Sequence, residues 1–420
     1  MLLKLVSVLG LVTFLAIAWA MSSHRRLFPW RTVLWAFLLQ VSLAVFILKT
    51  SLGKALFSLT GHAINKLVGF SNEGCQFVFG PLASETQMKG PFGAEHAFVF
   101  AITVTGTIII VSSLSSLLYH WGLLQKVVQA FAWLMRKALR TSGAETLSAA
   151  ANVFMGQTEA PLLIRPYVPR LTRSELMTIM VCGMAHIAGG VAAVYADMGR
   201  RAGYPDTAGH LLTASVLNCP LALMIAKIML PETEQSETAA RAPAAVPRTT
   251  VNSIDALCRG AGDGMMLSIN VMAMLIAFVA VVALANYLLT LPQQALGVAQ
   301  PATLQTLFGW INAPFAWLMG VPAKDCLTVG QFLGERIVLN EFVGYLSLTS
   351  HASQIDPRSF MLATYALCGF ANFSSIAIQV GGIGSLAPSR RGEMAQLGLR
   401  AMIAGLLASY ITATVAGILL

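Results

Sequence analysis

The residues able to do chemistry gather in four polar interruptions of otherwise apolar stretches. The first is Asn152-Val153-Phe154-Met155-Gly156-Gln157-Thr158-Glu159-Ala160-Pro161. An ionisable group costs about 2.5–3.5 kcal/mol at the centre of a membrane helix, so Glu159 needs a function or a partner there. Gln157 and Thr158 bring donors and acceptors suited to a base edge or an amide-like solute. The second is Asn340-Glu341-Phe342-Val343. The Glu341 carboxylate can accept from two vicinal hydroxyls; the plainer alternative is a helix cap at the membrane surface. The third, Cys368-Gly369-Phe370-Ala371-Asn372-Phe373-Ser374-Ser375, sets Asn and Ser groups beside Phe stacking faces. Such groups also serve as polar glue between membrane helices. The fourth is His186-Ile187-Ala188-Gly189-Gly190-Val191. There a histidine could relay protons, donate to a neighbour, or only pack.

The composition says where these groups must sit. Of 420 residues, 56% are hydrophobic and 11% charged, where soluble chains carry about 25% charged residues. Mean hydropathy is +0.71. A water-soluble surface cannot be made from so few charges, and disorder is excluded by so much apolar content. A polytopic membrane protein remains. The net charge of +9 does not indicate a nucleic-acid partner, because the 27 Lys and Arg sit in short clusters between apolar runs, as the positive-inside rule predicts. Six cysteines are scattered without CxxC spacing and read as small buried hydrophobes.

The apolar runs give the elements. Residues 2–20, 33–48, 98–118, 211–230, 265–291 and 401–420 read as spans. Residues 2–20 are read as a retained span, not a signal peptide, because Arg25, Arg26 and Arg31 follow them. Residues 51–70 and 125–139 are amphipathic and predict helices lying at the interface. Residues 141–169 and 328–350, each with a polar break, predict re-entrant hairpins; 175–197, with Gly189-Gly190 marking its break, and 360–385 predict broken helices. Residues 232–250 read as a solvent loop. The fold expected is all-α, with eight transmembrane helices and two re-entrant helical hairpins.

Most basic clusters (Arg25/Arg26/Arg31, Lys126–Arg140, Arg165–Arg173, Arg241–Arg259, Arg390/Arg391/Arg400) fall on one side if both termini face out. Lys49/Lys54 and Arg200/Arg201 are exceptions. The order hairpin, broken helix occurs twice, at about 141–200 and 323–388, with the second copy entering from the opposite side. Interrupted segments in corresponding places of two inverted halves point to a secondary-transporter site. Other classes fit less well. An enzyme would need a nucleophile–base pair or metal cluster, and neither HExxH nor GxSxG occurs. A channel would need repeated filter elements around a continuous pore.

Three of these stretches, from Gly156-Gln157-Thr158-Glu159-Ala160-Pro161-Leu162 through Asn340-Glu341-Phe342-Val343 to Cys368–Ser375, resemble in order the signature motifs of the concentrative nucleoside transporters. The resemblance covers about residues 90–420. It implies a homotrimer in the inner membrane with an elevator mechanism. Residues 1–119 and span six within 231–322 would form the scaffold. Residues 120–230 and 323–420 would form the moving transport domain. By motif match, Gln157, Thr158, Glu159 and Val191 would meet the nucleobase of a uridine-like solute. Glu341, Asn372 and Ser375 would meet the ribose, with Phe370 nearby. A coupling sodium would be held by Asn152, the Met155 carbonyl, His186 and the Ile187 carbonyl. Sodium-coupled members carry Ser where this chain has His186, and imidazole is a poorer ligand for a hard cation. Coupling to protons is therefore the alternative. No organic cofactor is implied.

Overall fold

The computed structural model describes residues 2–84, 87–88, 99–238, 250–299 and 301–419. Arg241 and most of the expected solvent loop lie outside them. All regular elements among the described residues are helical. Among the described residues, seven helical segments are long and apolar enough to cross a membrane: Leu2–Ala20, Trp30–Lys49, Ala101–His120, Arg173–Arg201, Thr207–Met229, Ser253–Ala295 and Pro388–Leu419.

Burial divides them. In α1 (Leu2–Ala20), α2 (Trp30–Lys49) and the long helix Ser253–Ala295, most side chains stay uncovered by protein, whereas Thr207–Met229 is 89% buried along its most apolar window. With no hydrophobic drive between helices in lipid, uncovered apolar faces belong against acyl chains or other subunits, and close helix contacts need small residues. The long helix shows this. Extra methyls at Gly260 and Gly264 would stand 2.6 Å from the Ser112 carbonyl oxygen and 2.8 Å from Ile109 Cα. That glycine pair, four residues apart, lets the helix lie directly on α4 (Phe100–His120).

The interfacial helix expected over 51–70 continues as α3 (Ser51–Phe79), started by a Thr50 cap on Gly53 N–H. Helix α5 (Leu123–Leu139) has the amphipathic, basic character expected of it. The first interrupted segment differs from expectation. Its first arm is helical, α6 (Gly143–Asn152), behind a Ser142/Glu145 capping box. Its second arm is turns and the 3-10 segments Ala160–Ile164 and Val168–Arg170. Pro161, Pro166 and Pro169 deny that arm a continuous hydrogen-bond ladder. The base of α6 is fastened by buried Lys227. Its Nζ lies 2.8 Å from Glu145 Oε2 and 3.2 Å from Glu232 Oε2, and it donates to Ser174 Oγ.

The broken helix follows as α7 (Arg173–Ala185) and α8 (Gly189–Arg201). The break falls at 186–188; the Gly189-Gly190 pair, expected to mark it, instead begins α8. Next come α9 (Thr207–Met229) and α10 (Ser253–Ala295). At 43 residues α10 is about 65 Å long, roughly twice the hydrocarbon thickness. Helix α11 (Leu304–Leu318), capped by Thr303, was not anticipated. The second hairpin is helical in both arms, α12 (Cys326–Val338) and α13 (Glu341–Ser350), and turns at Leu339-Asn340. The second broken helix is α14 (Pro357–Leu367) and α15 (Phe373–Leu386), interrupted at 368–372. Helix α16 (Arg391–Leu419) closes the chain.

Candidate functional site

The two breaks meet at the centre of the buried bundle. Gly369 sits with φ +152°, and a methyl there would stand 2.7 Å from the Met184 carbonyl oxygen, so only glycine permits the approach. Phe370 N–H donates to the His186 carbonyl at 3.2 Å. A broken helix exposes unpaired carbonyls that lipid cannot satisfy. Here buried side chains from other elements satisfy them. Asn218 of α9 donates to the Ala185 carbonyl at 2.7 Å and the Cys368 carbonyl at 3.1 Å, joining both breaks. Thr412 donates to Asn218 Oδ1, and Ser409 to the Cys368 carbonyl. Arg336, fully buried in α12, donates to the Ala366 carbonyl and to Ser409 Oγ.

On this frame the expected residues form two pairs. Asn372 caps α15: its Oδ1 accepts from Ser375 N–H at 2.8 Å, and its Nδ2 donates to Glu341 Oε2 at 2.9 Å. Glu341 is the first residue of α13 after the Asn340 cap, where the positive helix end favours a carboxylate. Its other oxygen accepts from Tyr195 OH at 3.1 Å. The second pair links the first hairpin to α15: Gln157 Nε2 donates to Ser375 Oγ at 3.2 Å. Gln157 Oε1 in turn accepts from Gln379 Nε2 at 3.1 Å. Thr158 packs beside α15, where a methyl on Gly382 would stand 2.5 Å from its Cγ2. Val191 is buried, and Phe370 is partly exposed.

Glu159 stands apart from these pairs. It is exposed to a cavity of about 670 Å³ between the first hairpin with α8 and the helices α4 and α10. Ser112, Phe154, Gly190, Arg259 and Asp263 also line that cavity. Glu159 Oε2 accepts from Gly156 N–H at 3.1 Å, closing the turn at the hairpin tip.

Two of the expected ion ligands, Asn152 and His186, share one property. Asn152 donates its Nδ2 to the Ser148 carbonyl, and its Oδ1 is buried without a hydrogen-bond partner. His186 Nδ1 lies 2.7 Å from the Cys182 carbonyl. A carbonyl only accepts, so Nδ1 carries the proton, and in the neutral ring Nε2 holds a lone pair. Nε2 too is buried and unpartnered. Two buried acceptors lacking donors suit a cation, and the amide oxygen suits a hard one. Ile187, next in sequence to His186, is buried, and Met155 lies at the edge of the cavity.

Sequence reasoning missed Tyr195, Asn218, Arg336 and Gln379. Tyr195 was the most accessible of them, one helical turn beyond Val191 on the same face of α8. Arg336 was a charge amid apolar residues, the same signal that marked Glu159 and Glu341. Asn218 and Gln379 each stand alone in an apolar helix, and nothing local names their carbonyl partners.

Comparison with known proteins identifies the chain's relatives. Residues 9–82 match the N-terminal domain, and 210–417 the C-terminal domain, described as "Na+ dependent nucleoside transporter". Residues 101–201 match "Gate: Nucleoside recognition". An uncharacterised transporter of Haemophilus influenzae is 42% identical over 98% of this chain and 97% of its own length. Nucleoside permease NupC of Helicobacter pylori is 37% identical over 99% of this chain and 97% of its own. Sodium/nucleoside cotransporter 1 of Mus musculus is 38% identical over 99% of this chain and 64% of its own. The solved structure of CNTnw in an inward-facing substrate-bound state superposes with a TM-score of 0.91, at 38% identity over 99% of this chain and 97% of that one. A variant of CNTnw in an outward-facing state superposes with a TM-score of 0.92, at 38% identity over 99% and 97%. The chain belongs to the Na+ dependent nucleoside transporter family, whose members are membrane transporters and not enzymes.

Proposed function

We propose that this chain imports nucleosides of the uridine type across the inner membrane by symport with sodium. The observation that carries the reading is the pairing of Glu341 with Asn372 and of Gln157 with Ser375. These pairs set a vicinal-hydroxyl acceptor and an amide next to each other at the meeting of two hairpins and two helix breaks. A nucleoside has no charge, so hydrogen bonds and stacking must hold it. Its sugar hydroxyls donate to Glu341 and accept from Asn372 Nδ2; its base engages Gln157, Thr158 and Glu159 beside Val191, with Phe370 at the ring face.

Sodium enters as the co-transported ion, held by Asn152 Oδ1 and the Met155 and Ile187 carbonyls, with His186 Nε2 filling the position of the family's hydroxyl ligand. The orphaned acceptors support a cation there. Their occupation stiffens the first hairpin tip before the nucleoside completes the site, so ion and solute affinities are reciprocally coupled. One monovalent cation gains about 2.3 kcal/mol from a potential of roughly 100 mV. That sustains about a fifty-fold gradient of a neutral solute. Protons are the second reading, favoured by the imidazole at position 186.

In the elevator reading, the broken segment Pro357–Leu386 is an eighth crossing, both termini face the periplasm, and the hairpin-bearing core slides against a trimeric scaffold of α1–α4 and α10. The cavity lined by Glu159 is then the passage to the cytoplasm. Glu341→Ala and Asn372→Ala test the site. Both variants should fold but lose uridine uptake, and full uptake by either would remove the ribose assignment.

A further inference from the structure

Gln379 lies in α15 with its side chain fully buried, between α7 and the first hairpin. Its Nε2 is 3.1 Å from the Met180 carbonyl and 3.1 Å from the Gln157 amide. The Met180 oxygen can only accept, so the atom facing it must be the NH2 group of Gln379. That group's other N–H then points at Gln157, and the atom of Gln157 that meets it must be the oxygen. The Gln157 NH2 is left facing Ser375 Oγ and the site. One backbone carbonyl thus fixes the sense of two amides in series. Gly183 makes this possible, since a methyl there would stand 2.4 Å from Gln379 Nε2 and 3.0 Å from Gln157 Cβ.

We propose that Gln379 is a positioning residue that sets the polarity of base recognition: it holds Gln157 with its NH2 toward the solute, so the site selects a carbonyl oxygen on the nucleobase over an amino group. The proposal rests on the nucleoside reading above. An amino group at the same place would set donor against donor, and the Gln157 amide could turn over only by opposing its NH2 to that of Gln379.

The test is proteoliposome uptake of uridine and cytidine, which differ in the keto or amino group at C4, compared as kcat/KM. The full chain is used as wild type, Gln379→Met, Gln379→Glu and Gly183→Ala. Wild type should favour uridine about tenfold, the worth of one mismatched buried hydrogen bond. Gln379→Met and Gly183→Ala should bring the ratio to within about twofold of unity, because an unlocked Gln157 amide can present either end. Gln379→Glu, which offers only acceptors to Gln157 when ionised, should shift preference toward cytidine. A merely structural Gln379 would lower both rates and leave the ratio alone. Equal use of uridine and cytidine by wild type, or an unchanged ratio in variants that still transport, would overturn the proposal. If folded wild type moved no nucleoside at all, the functional reading itself would fail with it, which is a separate result.

Discussion

Tyr195 donates to one oxygen of Glu341 while Asn372 donates to the other, so the carboxylate is held from both sides before any solute arrives. Tyr195 is itself stacked on Tyr345, with ring centroids 4.1 Å apart, and Tyr345 OH is tied to the Thr364 carbonyl. Removing the donor with Tyr195→Phe leaves the carboxylate less well placed, which is worth about 1–3 kcal/mol for a buried acceptor. The expected outcome is a rise in KM for uridine of roughly ten- to a hundred-fold, with folded protein retained and Asn372 still in place. Uptake kinetics of the variant give the answer directly. At this scale the motifs themselves were legible, because Gln157, Glu159, Glu341 and Asn372 are polar groups inside apolar runs, and that costs too much to be idle. Their orientation was not legible. It depends on which carbonyls face Asn218, Gln379 and Arg336, and those carbonyls belong to helices distant in sequence.

The elements work through their interruptions. Both breaks are stabilised by groups brought from elsewhere: Asn218 bridges them, and Arg336 with Ser409 serves the second. Arg336→Leu removes a buried cation and leaves the Ala366 carbonyl without that donor. We expect a lower melting temperature and loss of uptake together, measured by thermal unfolding in detergent. Gly369→Ala should be equally damaging by a different route, since its methyl would meet the Met184 carbonyl. Hairpins and broken helices could be expected from polar interruptions, yet their borders moved. The Gly189-Gly190 pair begins α8 because the break is set by the contact of 186 with 370, not by glycine content. The second arm of the first hairpin is not α-helical because three prolines interrupt it. Helix α11 escaped notice because a 15-residue amphipathic stretch is too short to read as a span.

Across the whole molecule, a buried core that carries the paired site residues faces more exposed helices across the cavity beside Glu159. If the core slides against α4 during transport, a covalent link between them should stop it. Ser112 of α4 and Gly190 of α8 are suited to this, because a Cβ at Gly190 would lie 3.6 Å from Ser112 Oγ. In a background with exposed Cys258 replaced, the Ser112→Cys/Gly190→Cys double variant should lose uptake on oxidation and regain it with reductant. Full uptake by the oxidised, cross-linked protein would remove the sliding motion. Composition alone placed the chain in a membrane, and the inverted order of interruptions suggested transport. The cavity, and the partition into covered and uncovered helices, needed the packing. The most direct measurement is uptake of radiolabelled uridine into proteoliposomes under an imposed sodium gradient, and separately under an imposed proton gradient. Sodium-driven, saturable accumulation is the expected result. Accumulation driven only by protons would move coupling away from the Asn152 site, and no accumulation under either gradient by folded protein would contradict nucleoside symport altogether.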